Sequence, residues 1–176
     1  GFAREKTKRD MLKILAMAQR LKLTHVTDNI RSKPSFLCNC CRCCCELMAG
    51  VQMGFQDGLA KTPFIAVVNK ELCDYCGDCL KTCNVKCIGL AKESRTHHKA
   101  DRRAKIDPAI CLGCAACVSA CEKEAIWLEP RDNYHVPPKN KGWMFTRILW
   151  EKGRLSPFVF SRIKRKLGNF TGRKIG

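Results

Sequence analysis

The spacing of hydrophobic positions changes several times along the chain. Over residues 5–22, Met11, Ile14, Leu15, Ala18 and Leu21 recur at helical intervals, and Thr7 with Asp10 has capping-box spacing. Leu23–Val26 reads as extended, and 27–37, with Asp28-Asn29 and Lys33-Pro34, as a loop. Leu47–Phe55 predicts a short helix, broken by Gly50, Gly54 and Gly58. Phe64–Val68 is a strand signal, Ile88–Ala91 and Ala104–Ile106 a hairpin with a long polar connection, and Ala125–Leu128 a return strand. The order strand, cysteine loop, helix, strand thus occurs twice, which predicts an α+β fold with pseudo-two-fold symmetry. Trp143–Glu151 offers Met144, Ile148 and Leu149 on one side of a helix. Ser156-Pro157 suits a second helix start, followed by a stripe of Phe160, Ile163 and Leu167 between basic residues. Such a stripe suggests a tail that folds against a partner. Three segments are expected: 1–61, 62–130 and 131–176.

Fifteen of the 176 residues are cysteine, far more than a packed core needs. Eight form two copies of one rhythm, Cys73-x2-Cys76-x2-Cys79-x3-Cys83 and Cys111-x2-Cys114-x2-Cys117-x3-Cys121. Zinc prefers two C-x2-C pairs set far apart, whereas here each run steps by three and then four. Disulfides fit poorly with such runs in a lysine-rich chain that shows no signal peptide. The rhythm points to iron–sulfur ligation.

The whole of 62–130 resembles the bacterial dicluster ferredoxin domain. The resemblance implies that three thiolates of each run hold one [4Fe–4S] cubane while the fourth reaches the other. It assigns Cys73, Cys76, Cys79 and Cys121 to a first cluster, and Cys111, Cys114, Cys117 and Cys83 to a second. That family usually has proline after each fourth cysteine. Here Asn84 and Glu122 stand there, which leaves ligation intact and changes the surroundings of the sulfurs. The wider stretch, roughly 7–160, looks like a group of anaerobe 4Fe–4S proteins that carry a C-N-C-C-x-C-C-C knot ahead of the dicluster domain. Members of that group are usually longer at the N-terminus, and this chain starts at Gly1, as a processed, trimmed or C-terminal part of a longer polypeptide would.

The knot is Cys38-Asn39-Cys40-Cys41-Arg42-Cys43-Cys44-Cys45. Cys38, Cys41 and Cys44 form a further step-of-three series, suited to three corners of a third iron–sulfur cluster. Its fourth ligand would be Cys45, Cys87 or a cysteine elsewhere, and Cys40 with Cys43 is a rival pair. A redox-active thiol or disulfide pair is the other reading of the knot. Cys87 is left over, as a free thiol near the first cluster or a substitute for Cys83.

The formal charge is +17. It is concentrated in 131–176, where twelve Lys/Arg face Asp132 and Glu151. Such asymmetry suits an acidic redox protein or oxidoreductase subunit within a hetero-oligomeric complex, or a peripheral contact with an anionic membrane face. No apolar run approaches a membrane span. No P-loop, Rossmann glycine pattern or Ser–His–Asp arrangement is present. His25, His97, His98 and His135 read as solvated, and Trp127, Trp143 and Trp150 as packing residues. The leading expectation is a cytoplasmic electron-transfer protein relaying electrons through two [4Fe–4S] clusters, not catalytic alone. The alternatives are a redox-sensing nucleic-acid binder, disfavoured by the absence of a recognition motif, and a self-contained reductase with a catalytic cluster in the knot.

Overall fold

The computed structural model describes residues 3–92 and 102–162. His97, His98, Ile163 and Leu167, singled out above, lie outside the described residues. Two compact units emerge. One joins the segment up to Thr27 to Phe36–His135, and the other joins Asp28–Ser35 to the segment from Val136 onward.

The first unit opens with helix α1 (Lys8–Arg20). Its capping box is formed: the Asp10 N–H donates to Thr7 Oγ1 at 3.2 Å, and the Thr7 N–H to Asp10 Oδ2 at 3.4 Å. It stops at Lys22, which turns left-handed (φ 59°). The Leu23 N–H then bonds back to the Ala18 carbonyl, and the Lys22 N–H to Gln19. Ala18 is buried and Ile14 and Leu15 are half-buried, whereas Met11, Leu12, Met17 and Leu21 stay exposed.

Strand β1 (Thr24–Thr27) pairs antiparallel with β2 (Leu37–Cys40), with Thr24 opposite Cys40. The sequence pattern did not show β2, because cysteine density masks a strand signal. Helix α2 (Glu46–Gln52) follows and buries Met48 and Val51, ending before Gly54 (φ 105°).

Strand β3 (Phe64–Val68) leads into the first cysteine run and helix α3 (Asp78–Thr82). Strands β4 (Ile88–Lys92) and β5 (Arg102–Ile106) form the expected hairpin. After the second run, β6 (Ile126–Pro130) returns to pair with β3, Phe64 opposite Pro130. The backbone repeats at an interval of 38 residues: β3 and β5, β4 and β6, and each cysteine of the first run and its counterpart. Left-handed residues repeat too, as Tyr75 and Gly113, Gly77 and Ala115, Lys86 and Glu124. The core between these strands includes Ala66, Val85, Ile88, Leu112 and Ile126 together with the cysteines.

In the second unit, helix α4 (Lys141–Glu151) is capped by Asn140, whose side chain accepts from the Trp143 N–H. A further helical segment covers 155–162. It begins two residues earlier than the sequence suggests: the Phe158 N–H bonds to the Arg154 carbonyl, so Pro157 falls within the first turn, where its missing N–H costs nothing. Phe145 packs edge-on against Phe158 at 5.8 Å, but no residue of α4 is buried. Trp143 and Trp150 are exposed, as is Trp127 in the first unit, so the packing roles expected for the tryptophans are not realised.

Candidate metal centres

Each cysteine run is shaped by the same device. Asn69 and Asp107, one interval apart, each accept with a side-chain oxygen from the N–H two residues on, both at 2.8 Å. The carbonyl of each accepts from the first cysteine of its run, Cys73 at 3.2 Å and Cys111 at 2.9 Å. The N–H of each is held across the repeat, Asn69 by the Ala125 carbonyl and Asp107 by the Cys87 carbonyl. The loops are thereby pinned to the end of the opposite half.

That pinning brings the fourth cysteine of one run to the other. Cys73, Cys76, Cys79 and Cys121 line one cavity, with Tyr75, Gly77, Leu80, Ala104, Lys123, Ala125 and Ile126 among its walls. Burial, with the nearby thiols Cys73, Cys76 and Cys121, pushes the Cys79 thiol up to about 11. Cys117 is pushed up to about 12 by burial and then by Cys114, Cys111 and Cys83. Two sets of four thiols therefore converge, each with one member from the other run. A mostly apolar cavity walled by four soft sulfur donors fits an iron–sulfur cluster better than a hard cation.

The 4Fe-4S dicluster domain family matches residues 72–125. A ferredoxin from Alicyclobacillus acidocaldarius subsp. acidocaldarius is 30% identical over 88 residues, which span 48% of this chain and 100% of that protein. The chain belongs to the ferredoxin family. The ferredoxin-type domain makes it an iron–sulfur protein of electron transfer.

The two sites of this ferredoxin domain differ in cover. In the first set Cys79 is buried, Cys73 and Cys121 are half-buried and Cys76 is exposed. In the second, Cys83, Cys111 and Cys117 are buried and Cys114 is half-buried. The extra cover comes from residues that sequence reading passed over. Asn84, noted only as a missing proline, is 5% exposed and holds three segments. Its Nδ2 donates to the Lys22 carbonyl (3.0 Å) and to Thr24 Oγ1 (2.9 Å), and its Oδ1 accepts from the Arg42 N–H (3.1 Å). Its carbonyl accepts from Gln52 Nε2 at 3.1 Å. Thr24 is buried and hydrogen-bonds Cys114, which partly offsets the upward push of burial on that thiol. Lys22 Nζ reaches the Ser119 carbonyl.

Arg131, counted with the basic tail in the sequence, belongs to this site instead. Its guanidinium donates to the carbonyls of Cys111 (2.9 Å), Pro108 (3.2 Å) and Phe64 (3.3 Å). Gly113 lies where this loop meets β3. A Cβ there would stand 2.1 Å from the Phe64 carbonyl oxygen and 2.3 Å from Thr62 Oγ1, and its φ is +72°.

Cys87 is not near the first set. Its sulfur lies 3.5 Å from Cys83 Sγ, its N–H donates to the same sulfur at 3.3 Å, and its side chain also hydrogen-bonds Cys111. Those contacts with Cys87 hold the Cys83 and Cys111 thiols down at about 6 and push Cys87 itself well up.

The knot resolves into two groups. Cys41, Cys43 and Cys44 have sulfurs within 4.8 Å of one another, with Cys41 and Cys43 joined as a disulfide. Cys40 instead contacts Cys45 and Cys38, and burial with these contacts pushes it up to about 11. The fold therefore gathers a different trio from the Cys38, Cys41 and Cys44 series. The step-of-three count presumes a curled loop, whereas β2 is extended through Cys40 and puts Cys38 and Cys40 on one face.

Proposed function

We propose that this ferredoxin relays single electrons between two [4Fe–4S] clusters, one held by Cys73, Cys76, Cys79 and Cys121 and the other by Cys111, Cys114, Cys117 and Cys83. The observation that carries this reading is the cavity in which Cys121 joins three cysteines of the other run. Each cluster would supply a one-electron couple. The chain supplies thiolate ligands, N–H donors to sulfur from Cys87 and Ala125, and a fixed spacing of the two sites through the crossed ligands. The repeat of strands and loops at 38 residues supports a pseudo-two-fold arrangement with the clusters between the halves.

Unequal cover suggests a direction. Cys76 opens the first site to solvent and to a redox partner, while the second is capped by the N-terminal segment. The knot backbone meets Asn84, the residue after Cys83, so a third iron–sulfur site among Cys38–Cys45 would extend the relay from the second cluster. The basic second unit, with Trp143, Arg147 and Trp150 on a cleft of about 660 Å³ lined also by Arg31 and Lys139, suits docking to an acidic oxidoreductase subunit in a larger complex. No helix among the described residues is long and apolar enough to cross a membrane. A reducing compartment such as the cytoplasm suits so many thiols.

The deciding experiment is iron and sulfide content of anaerobically purified protein, with EPR of the reduced form. About eight irons are expected for two cubanes and about twelve if the knot holds a third. A content of one or two zinc ions and no sulfide would overturn the reading. Electron-transfer rate to an acidic partner should fall steeply with salt, and a rate indifferent to ionic strength would sink the docking role.

A further inference from the structure

The second site contains one thiol more than a cubane needs. Cys87 is 6% exposed, and its sulfur lies 3.5 Å from Cys83 Sγ while also contacting Cys111. The 38-residue repeat fixes what its position means. The counterpart of Cys87 is Ala125, which is 1% exposed and walls the cavity of the first site. The backbone of the two is equivalent: the Cys87 N–H donates to Cys83 Sγ and the Ala125 N–H to Cys121 Sγ, each at 3.3 Å. Both carbonyls accept from the residue that opens the opposite loop, Asp107 or Asn69. The two sites thus share a frame, but one has a methyl where the other has a thiol beside its crossed ligand.

We propose that Cys87 is a reserve ligand of the second cubane, placed to take over the iron corner held by Cys83. The proposal rests on the two-cluster reading above. In the exchange the iron–sulfur bond to Cys83 breaks and one to Cys87 forms. Cys87 gives up its thiol proton and Cys83 takes one up, so that charge balances and no electron moves. Short reach favours the step, because the two sulfurs are already in contact and both residues belong to one tight turn, Lys86 N–H to Cys83 carbonyl at 3.3 Å. The first site has no such neighbour at Ala125, so the two crossed ligands, Cys83 and Cys121, differ in how replaceable they are.

The test compares them in the intact chain by iron content and EPR. Wild type should hold about eight irons, or about twelve with the knot loaded. Cys121→Ala should lose a corner, with about one iron fewer and a three-iron signal in the oxidised protein. Cys83→Ala should keep the wild-type iron count and a four-iron signal from each site. Cys83→Ala with Cys87→Ala should behave like Cys121→Ala. A three-iron signal in Cys83→Ala alone would overturn the proposal, with the two-cluster reading intact. Wild type with fewer than about eight irons would overturn both. Should Cys83→Ala not load, the same frame is tested by adding Ala125→Cys to Cys121→Ala. Recovery of the lost corner supports the exchange, and no recovery overturns it.

Discussion

The two cysteine runs are the same sentence written twice, yet the two sites they build are not equivalent. At the first, Cys76 is exposed, Glu122 after the crossed ligand is exposed, and Ala125 is the inner wall. At the second, Asn84 after the crossed ligand is buried, Cys87 replaces the alanine, and Thr24 closes over Cys114. The ligand loops are held alike, by Asn69 and by Asp107. What differs is the chain outside the repeat. The N-terminal segment meets Asn84, Cys114 and Ser119 around the second set, so a repeated frame yields two sites of unequal cover. Spacing sets what is bound, and the neighbours of the spacing set how each site communicates with solvent and partners.

Four changes would break or sharpen that contrast. The largest effect is expected in the loops. Gly113→Ala puts a Cβ into the Phe64 carbonyl at positive φ and should cost roughly 3–5 kcal/mol, with loss of the second cluster's EPR signal. Gly77→Ala has the same kind of φ (+82°) with open space around it and should cost about 1 kcal/mol, read by denaturant titration. Equal costs would mean that the close approach to β3 is not a constraint.

Next comes the clamp. Asn84→Ala leaves the Lys22 carbonyl and the Arg42 N–H without their partner, for roughly 2–3 kcal/mol. It should also speed hydrogen exchange in α1 and β1. Its counterpart Glu122→Ala should stay within about 0.5 kcal/mol, since that residue is exposed. Similar losses from both would remove the argument for an N-terminal cap.

Cover should also order the loss of iron. A chelator under mild oxidation is expected to empty the first site before the second, followed by EPR, because Cys76 is open and the second set is buried. The reverse order would contradict this difference in cover. The smallest effect is electronic. Thr24→Val removes the hydroxyl beside Cys114 and should lower the potential of the second cluster by roughly 20–60 mV, leaving the first unchanged. A potentiometric EPR titration reads both couples in one experiment.

Much of the dicluster frame was legible because its signals are local. Thr7 and Asp10 are three residues apart, the cysteine steps fall within single loops, and the alternation at Phe64–Val68 and Ala125–Leu128 marks strands without reference to anything distant. The misreadings share a cause. β2 was hidden by cysteines, Arg131 was counted with a tail it does not serve, and Cys87, also weighed as a substitute for Cys83, was first placed near the other set of thiols because it follows the first run in sequence. Each depends on contacts between residues far apart along the chain.

The sequence by itself therefore determined the chemistry: soft thiolate donors at intervals that a short loop can wrap round a cluster, twice, within a strongly basic chain. Tertiary structure alone decided which thiols meet. Crossed loops pinned by Asn69 and Asp107 carry Cys121 and Cys83 to the opposite sets, and an extended β2 regroups the knot. Asn84, too polar to be buried without partners, finds them in a segment some sixty residues upstream. Spacing encodes a ligand's reach along the backbone, whereas burial and hydrogen-bond satisfaction are properties of the folded neighbourhood and exist only once the chain has closed on itself.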